Sequence, residues 1–324
     1  MMAFTKKSFL VLIIGLSLIL ACKQTEEPAG KDTRLKVTAT IFPLYDFARN
    51  VGGDKVTVTM LLPPATDAHH YELKPNDIVR VSKTDIFLFT SFEMEQWAYK
   101  IINAAAEKTN MLAAEAGQGA FLLPLLALHE HDADHQPARQ ENDREHAAKF
   151  DPHIWLDFAN AQKMIDNITT AFINKDSKNS ETYKKNAQSY KLKLTELDQK
   201  YRAQLTNCKT RTILHAGHWA FAYLAHKYNL KYMAAYNMST DAEPSPQQII
   251  TLIEQVKGQK LKYIYYEDLM APRLAQAIAA ETGVGLLNLH NGHDIGKKDF
   301  KSGETFITLM ERNLANLKKG MQCP

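Results

Sequence analysis

Residues 178–207 contain neither proline nor glycine, and they divide the chain into two parts of similar pattern. Apolar residues recur there every three or four positions, which is the period of one helix face. These positions are Tyr183, Ala187, Tyr190, Leu194, Leu197, Tyr201 and Leu205. A helix of about 28 residues would be roughly 42 Å long. We interpret residues 176–207 as a rigid helix that links two lobes; the alternative is a surface helix packed on one domain.

On each side of this helix, strand-like segments alternate with helix-like segments. In the first part, strands are predicted at 35–41, 55–62 and 85–91, and helices at 42–51, 75–83 and 93–108. In the second part, strands are predicted at 211–215, 230–236, 261–267 and 284–290, and helices at 218–228, 246–257, 271–282 and 300–319. Strands rich in β-branched and aromatic residues, set between helices, favour an α/β fold with largely parallel sheets. The sequence therefore predicts two α/β lobes flanked by helices, residues 34–175 and 208–324.

The first residues have the pattern of an export signal. Lys6 and Lys7 precede an apolar run that ends at Ala21–Cys22, and this run is shorter than the roughly 20 apolar residues of a membrane-spanning helix. "ILAC" resembles a bacterial lipobox, so we predict a signal peptide at 1–21, a lipid anchor on Cys22 and a polar tether at 22–33. An ordinary signal peptide with a chance cysteine is the alternative.

Removal of residues 1–21 lowers the formal charge from +3 to +1. A near-neutral chain gives no electrostatic reason to expect nucleic-acid binding. Cys208 and Cys323 then remain, and an exported chain is permitted a disulfide between them. Two reduced or buried thiols are the alternative.

Four of the twelve histidines stand where a strand ends or where a loop meets another element. They are His69, His153, His218 and His290. Ligands of α/β sheets bind beyond the carboxyl ends of the strands, and two of these histidines come from each lobe. Imidazole is the commonest neutral metal ligand, and a tetrahedral set of nitrogens suits zinc. The four side chains could therefore converge on a metal in the inter-lobe cleft, although each one alone is more often structural.

The chain resembles the zinc- and manganese-specific solute-binding lipoproteins of bacterial ABC importers. The resemblance rests on "PPATDAHHYELKP", "FDPHIWLD", "HWAFAYLAHKYNL" followed by "AEPSPQQI", and "YIYYEDLMAPRLAQAIAAETG", and it covers about residues 34–322. It implies a monomeric protein, outside the cytoplasm, that captures a metal and delivers it to a membrane permease with its ATPase. The resemblance does not decide between the periplasm and the cell surface. In either place the protein would contact membrane lipid through Cys22.

The resemblance also implies the ligands. The first three fall on His69, His153 and His218, and the fourth falls less securely on His290, where many members have aspartate. Carboxylates suit harder ions such as manganese, whereas imidazole nitrogens favour zinc. We therefore expect Zn²⁺ as the transported ligand, with Mn²⁺ as the alternative.

Several other polar residues are candidates for roles around this site. Acidic residues that could orient the imidazoles are Glu72, Asp151, Asp157, Asp241, Glu243 and Glu267. Each is equally well explained as a helix cap or a solvated charge. The stretch 129–146 is polar and lacks helical periodicity, which predicts a loop. Its His129, His131, His135 and His146 could hold zinc weakly and pass it inward, or merely be solvated.

Two other classes of protein have less support in the sequence. A zinc hydrolase would need an open coordination position and a base, often in an H-E-x-x-H helix, and "HEHDADH" lacks that spacing. A surface adhesin with a role in cell adhesion is compatible with a lipoprotein but has no specific support. We therefore expect a binding protein and no enzyme activity.

Overall fold

Each half of the chain builds one parallel sheet of four strands. The computed structural model describes residues 33–69, 71–106, 109–125, 149–236, 244–267 and 272–324. The first sheet has the order β2-β1-β3-β4, and Val37 in β1 lies between Val58 and Ile86 of its neighbours. Its strands are β1 Leu35–Ala39, β2 Val56–Met60, β3 Ile86–Phe89 and β4 Leu112–Glu115. The helices of this lobe are α1 Phe42–Gly52, α2 Pro75–Val81, α3 Ala98–Ala106 and α4 Phe158–Lys175.

The second sheet repeats this order as β6-β5-β7-β8, again with parallel pairing throughout. Its strands are β5 Thr212–His215, β6 Lys231–Ala234, β7 Tyr263–Tyr266 and β8 Gly285–Asn288. Its helices are α6 Ala222–Lys227, α7 Pro246–Gly258, α8 Pro272–Thr282, α9 Lys297–Ser302 and α10 Phe306–Gly320. The predicted α/β fold with two largely parallel sheets is confirmed.

The long helix between the sheets, α5 (Ser180–Gln204), buries the predicted apolar stripe. It runs antiparallel to α4, because Tyr183 meets Phe172 near one end and Tyr201 meets Phe158 near the other. The hydroxyl of Tyr190 donates to Asp46 in α1, and that of Tyr201 donates to the carbonyl of Met310 in α10. The helix therefore contacts both lobes along one face and connects them.

The main hydrophobic core is continuous across the two lobes. It includes Phe87 from the first sheet, Leu197 from α5 and Ile213 from the second sheet. A smaller cluster around Ile264 packs on the far side of the second sheet. Residues 34–324 accordingly form one compact unit.

The structure differs from the predicted elements in several places. Strand β4 and helix α4 were not predicted. Helix α6 begins at Ala222 and not at 218, so His218 lies in the loop that follows β5. The predicted final helix is two helices, because Gly303 has φ 78° and ends α9 in a left-handed turn.

Cys208 and Cys323, the pair considered above, are joined by a disulfide. Within the described ranges, no helix has both the length and the apolar character needed to cross a bilayer. The predicted signal peptide, Cys22, the tether and the histidine-rich loop lie outside the described residues.

Candidate metal centre

Three imidazole rings meet at the carboxyl ends of the strands. The Nε2 atom of His153 lies 3.2 Å from that of His69 and 3.4 Å from that of His218. Four nitrogens placed tetrahedrally at the zinc–nitrogen bond length would be about 3.4 Å from one another. These two separations are therefore those that a tetrahedral zinc ion requires.

His69 lies in the loop between β2 and α2, and two contacts fix this loop. The carboxylate of Asp67 accepts a hydrogen bond from the backbone N–H of His69 at 2.9 Å. The indole N–H of Trp97 donates to the carbonyl of Ala68, also at 2.9 Å. The peptide bond that precedes His69 is thus held by groups of its own lobe.

His153 is fully buried and is oriented by Asp151. One oxygen of Asp151 lies 2.8 Å from the backbone N–H of His153 and 2.9 Å from its Nδ1. A carboxylate at Nδ1 keeps the proton on that nitrogen, so Nε2 offers its lone pair to the centre of the cluster.

His218 is held in the same way from the second lobe. Glu267, directly after β7, lies 2.7 Å from its Nδ1 and 3.0 Å from its backbone N–H. Asn291 donates to the other oxygen of Glu267 at 2.8 Å. Burial alone would lower the pKa of His218 and raise that of Glu267, but their mutual attraction reverses both directions. Glu267 therefore keeps a proton on Nδ1, so that Nε2 is the nitrogen available to a metal.

A fourth imidazole, that of His293, lies beside the other three rings. Its ring centroid lies 5.6 Å from each of the rings of His69, His153 and His218. Four imidazoles bound tetrahedrally to one zinc would have centroids about 5.2 Å apart. The Nδ1 atom of His293 is buried and has no hydrogen-bond partner among the described residues. Burial, and then the neighbouring histidines, hold the pKa of His293 well below its ordinary value, so the ring is a neutral donor.

His290, the residue predicted for this fourth position, is not brought into the cluster. Its backbone is clamped by Asn313 of α10, which accepts from the His290 N–H at 2.8 Å and donates to its carbonyl at 2.7 Å. Its Nδ1 accepts a hydrogen bond from the N–H of Gly292 at 2.8 Å. Gly292 has φ 92°, and the resulting turn brings His293 to the site in its place.

The remaining acidic candidates have different positions. Asp151 and Glu267 support the imidazoles. Asp157 instead caps α4 through the N–H of Ala159 at 2.8 Å and pairs with Lys227 at 3.0 Å. Glu72 is exposed. Asp241, Glu243, His129, His131, His135 and His146 lie outside the described residues.

The two lobes meet directly at this cluster. The N–H of Ala65, on the loop of His69, donates to the carbonyl of Ile295, on the loop of His293, at 2.9 Å. The indole N–H of Trp155 donates to the carbonyl of Asn291 at 2.8 Å. The four rings are thus assembled from loops that hold one another, and their imidazole nitrogens suit a borderline cation.

The chain is similar over most of its length to several known proteins. A model of the family described as zinc-uptake complex component A, periplasmic (ZnuA), matches residues 37–320. The zinc-binding lipoprotein AdcA of Streptococcus pneumoniae is 32% identical over 314 residues, which cover 97% of this chain and 60% of AdcA. The high-affinity zinc uptake system protein ZnuA of Bacillus subtilis is 30% identical over 94% of each chain. The crystal structure of the Zn(II)-bound ZnuA-like domain of the pneumococcal AdcA superposes with a TM-score of 0.74 at 31% identity, covering 89% of this chain and 99% of that domain.

Proposed function

Because this chain belongs to the zinc-uptake complex component A family, we propose that it captures Zn²⁺ outside the cytoplasm and delivers it to an ABC-type membrane importer. The observation that carries the proposal is the cluster of four imidazoles. Its nitrogen separations of 3.2 and 3.4 Å match the edge of a zinc tetrahedron. The proposed ligands are His69, His153, His218 and His293.

The donor set favours zinc over manganese. Four neutral imidazoles supply nitrogen alone, whereas manganese is better served by carboxylate oxygens. Asp151 and Glu267 point at the Nδ1 atoms and not at the centre, so they tune the imidazoles without becoming ligands. We therefore propose Zn²⁺ as the bound ion and Mn²⁺ as the alternative.

Capture suits the site better than hydrolysis. A catalytic zinc keeps one coordination position open for water, with three ligands from the protein. Here a fourth ring stands at the same distance, 5.6 Å, from each of the other three. An ion bound by all four would have no position left for a water nucleophile.

The ligand set is tested by titrating metal-free protein with Zn²⁺ against a chromophoric chelator. We expect one tight site in the unmodified protein. Loss of a ligand should lower the zinc affinity more than about 100-fold, which exceeds the usual effect of losing a residue that supports a ligand. The variants are His69→Ala, His153→Ala, His218→Ala and His293→Ala. His290→Ala is the matched control, a histidine of the same loop, and should keep the affinity within about threefold. Unchanged affinity in His293→Ala, together with a loss in His290→Ala, would return the fourth position to His290.

Delivery requires partners and an anchor. We propose that a permease, coupled to an ATPase, receives the ion, and that Cys22 carries the lipid that keeps the chain at the membrane. The streptococcal relative of similar sequence is named as a zinc-binding lipoprotein, which supports this anchor. Globomycin, which blocks lipoprotein signal cleavage, should cause the uncleaved precursor to accumulate, and Cys22→Ser should release the protein from the membrane.

A further inference from the structure

A second group of ligand atoms overlaps the four-histidine cluster. One oxygen or nitrogen from each of Asp67, His69 and His293 lies within 4.8 Å of the other two. His69, His153 and His218 form a separate group by the same measure. The two groups share His69, so a metal could pass between them without ever leaving that side chain.

The two groups differ in their access to solvent. Asp67 and His69 are only half-buried, whereas His153 is fully buried and His218 is 2% exposed. An ion that arrives from solvent therefore meets Asp67 and His69 before it can reach the deeper pair. His293 lies equally close to the rings of His69, His153 and His218, and its buried Nδ1 has no partner among the described residues.

We propose that Asp67, His69 and His293 form a first binding position, from which the metal moves to an inner position on His153 and His218. This inference rests on the proposed capture of zinc. In the transfer, the ion keeps His69 and His293 as ligands. It loses the carboxylate oxygen of Asp67 and its own remaining water molecules, and it gains the imidazole nitrogens of His153 and His218.

The chemistry of the donors gives this transfer its direction. A carboxylate attracts a hydrated dication over a longer range than a neutral imidazole does, because the interaction is between full charges. Nitrogen donors bind Zn²⁺ more strongly than oxygen donors once its waters are lost. Asp67 therefore accelerates capture, and the inner histidines determine the final affinity.

Rapid mixing of metal-free protein with Zn²⁺ measures the first step. Trp155 reports on it, since its ring lies 5.5 Å from that of His153 and 5.8 Å from that of His293. We expect Asp67→Asn to lower the association rate about tenfold, within the range of electrostatic effects on association. The asparagine oxygen can still accept from the His69 N–H, so the loop is preserved.

Glu72→Gln is the matched control. It removes the same charge from an exposed position three residues from His69, outside both ligand groups. We expect its association rate to stay within about twofold of the unmodified protein. An unchanged rate in Asp67→Asn would overturn the proposal, and so would an equal fall in both variants, which would indicate a general charge effect.

An equilibrium test isolates the first position. In a His153→Ala background, Co²⁺ should still bind once, with the weak absorption of a site of more than four ligands. Adding Asp67→Asn should weaken that binding at least about tenfold, and adding Glu72→Gln should not. Absence of Co²⁺ binding to folded His153→Ala protein, or indifference to Asp67→Asn, would overturn the first position. Failure of the unmodified protein to bind one Zn²⁺ tightly would instead contradict the proposed function.

Discussion

At the scale of single residues, a carboxylate orients each of two buried imidazoles, those of His153 and His218. Asp151 bonds both the backbone and the Nδ1 of His153, and Glu267 does the same for His218. Each carboxylate therefore fixes a ring orientation and a proton position together. The donors are oriented before any metal arrives, which reduces the entropy lost on binding.

Glu267→Gln tests this support. The amide oxygen can still accept from Nδ1, but the charge that stabilises the metal-bound imidazole is lost. We expect zinc affinity to fall by about 10- to 100-fold, the usual effect of losing such a partner. Asp157→Asn, which changes a carboxylate that caps α4, should leave the affinity unchanged in the same chelator competition. Equal affinity in Glu267→Gln and the unmodified protein would contradict the supporting role.

Another buried carboxylate, that of Glu95, makes the stability of the fold depend on pH. Glu95 is fully buried and accepts from the hydroxyl of Thr40 and from the backbone N–H groups of Thr90 and Ser91. Burial raises its pKa to about 7, against the opposing effect of these donors. A raised carboxyl pKa means that the folded state holds a proton that the unfolded chain has released, so this group destabilises the fold progressively as pH rises from about 4.5 to 7.

Glu95→Gln should remove this pH dependence. The difference in free energy of unfolding between unmodified and variant protein should shift against the unmodified protein by up to about 3 kcal/mol between pH 5 and pH 8. Urea unfolding of metal-free protein at both pH values measures it. A difference that stays constant with pH would show that Glu95 titrates normally.

Three of the four histidines that the structure brings together were predicted from the sequence. The fourth, His293, was not. "HNGHD" offers His290 and His293 three positions apart. The choice between them is made by the left-handed turn at Gly292 and by Asn313, which is distant in sequence and clamps His290. A contact between residues so far apart in sequence leaves no local pattern. Two histidines on either side of a glycine do indicate that either one is a candidate ligand.

At the scale of elements, three helices meet around one buried carboxylate. Asp46 of α1 accepts from the hydroxyl of Tyr190 in α5 at 2.6 Å and from the backbone N–H of Phe306 at the start of α10 at 3.2 Å. Burial raises the pKa of Asp46, partly offset by these donors. This contact joins the linking helix to both halves of the chain.

Tyr190→Phe should destabilise the protein by about 1.5–3 kcal/mol, because it removes a hydrogen bond to a buried carboxylate and leaves that carboxylate less well satisfied. The exposed Tyr99 provides the matched control, and Tyr99→Phe should change the free energy of unfolding by less than about 0.5 kcal/mol. Urea unfolding of both variants checks this. Equal stability of the two would show that the Asp46 contact contributes little.

The elements were predictable in proportion to the regularity of their patterns. The stripe of α5 was predicted because seven apolar residues repeat without interruption. Helix α4 was missed, although Phe158, Ala161, Ile165, Ile168 and Phe172 follow a helical period. Strand β4 has only four residues, too few for alternation to be distinguished from chance.

At the scale of the whole molecule, the disulfide closes the second lobe. Cys208 and Cys323 are 115 residues apart in sequence, and this loop contains the whole second sheet. Cross-linking so long a loop restricts the unfolded chain more than the folded one. Cys208→Ser combined with Cys323→Ser should lower the free energy of unfolding by about 2–5 kcal/mol in urea titrations of metal-free protein. A loss below about 1 kcal/mol would mean that the backbone contacts near the chain end stabilise the second lobe without the disulfide.

The continuous core has a consequence for unloading. Two lobes that share one hydrophobic core and are tied at the Ala65–Ile295 contact cannot swing apart without exposing apolar surface. Under the proposed function, an ion bound between them would leave slowly on its own. Release would then depend on the membrane complex that receives the ion, which would have to displace individual loops and not whole lobes.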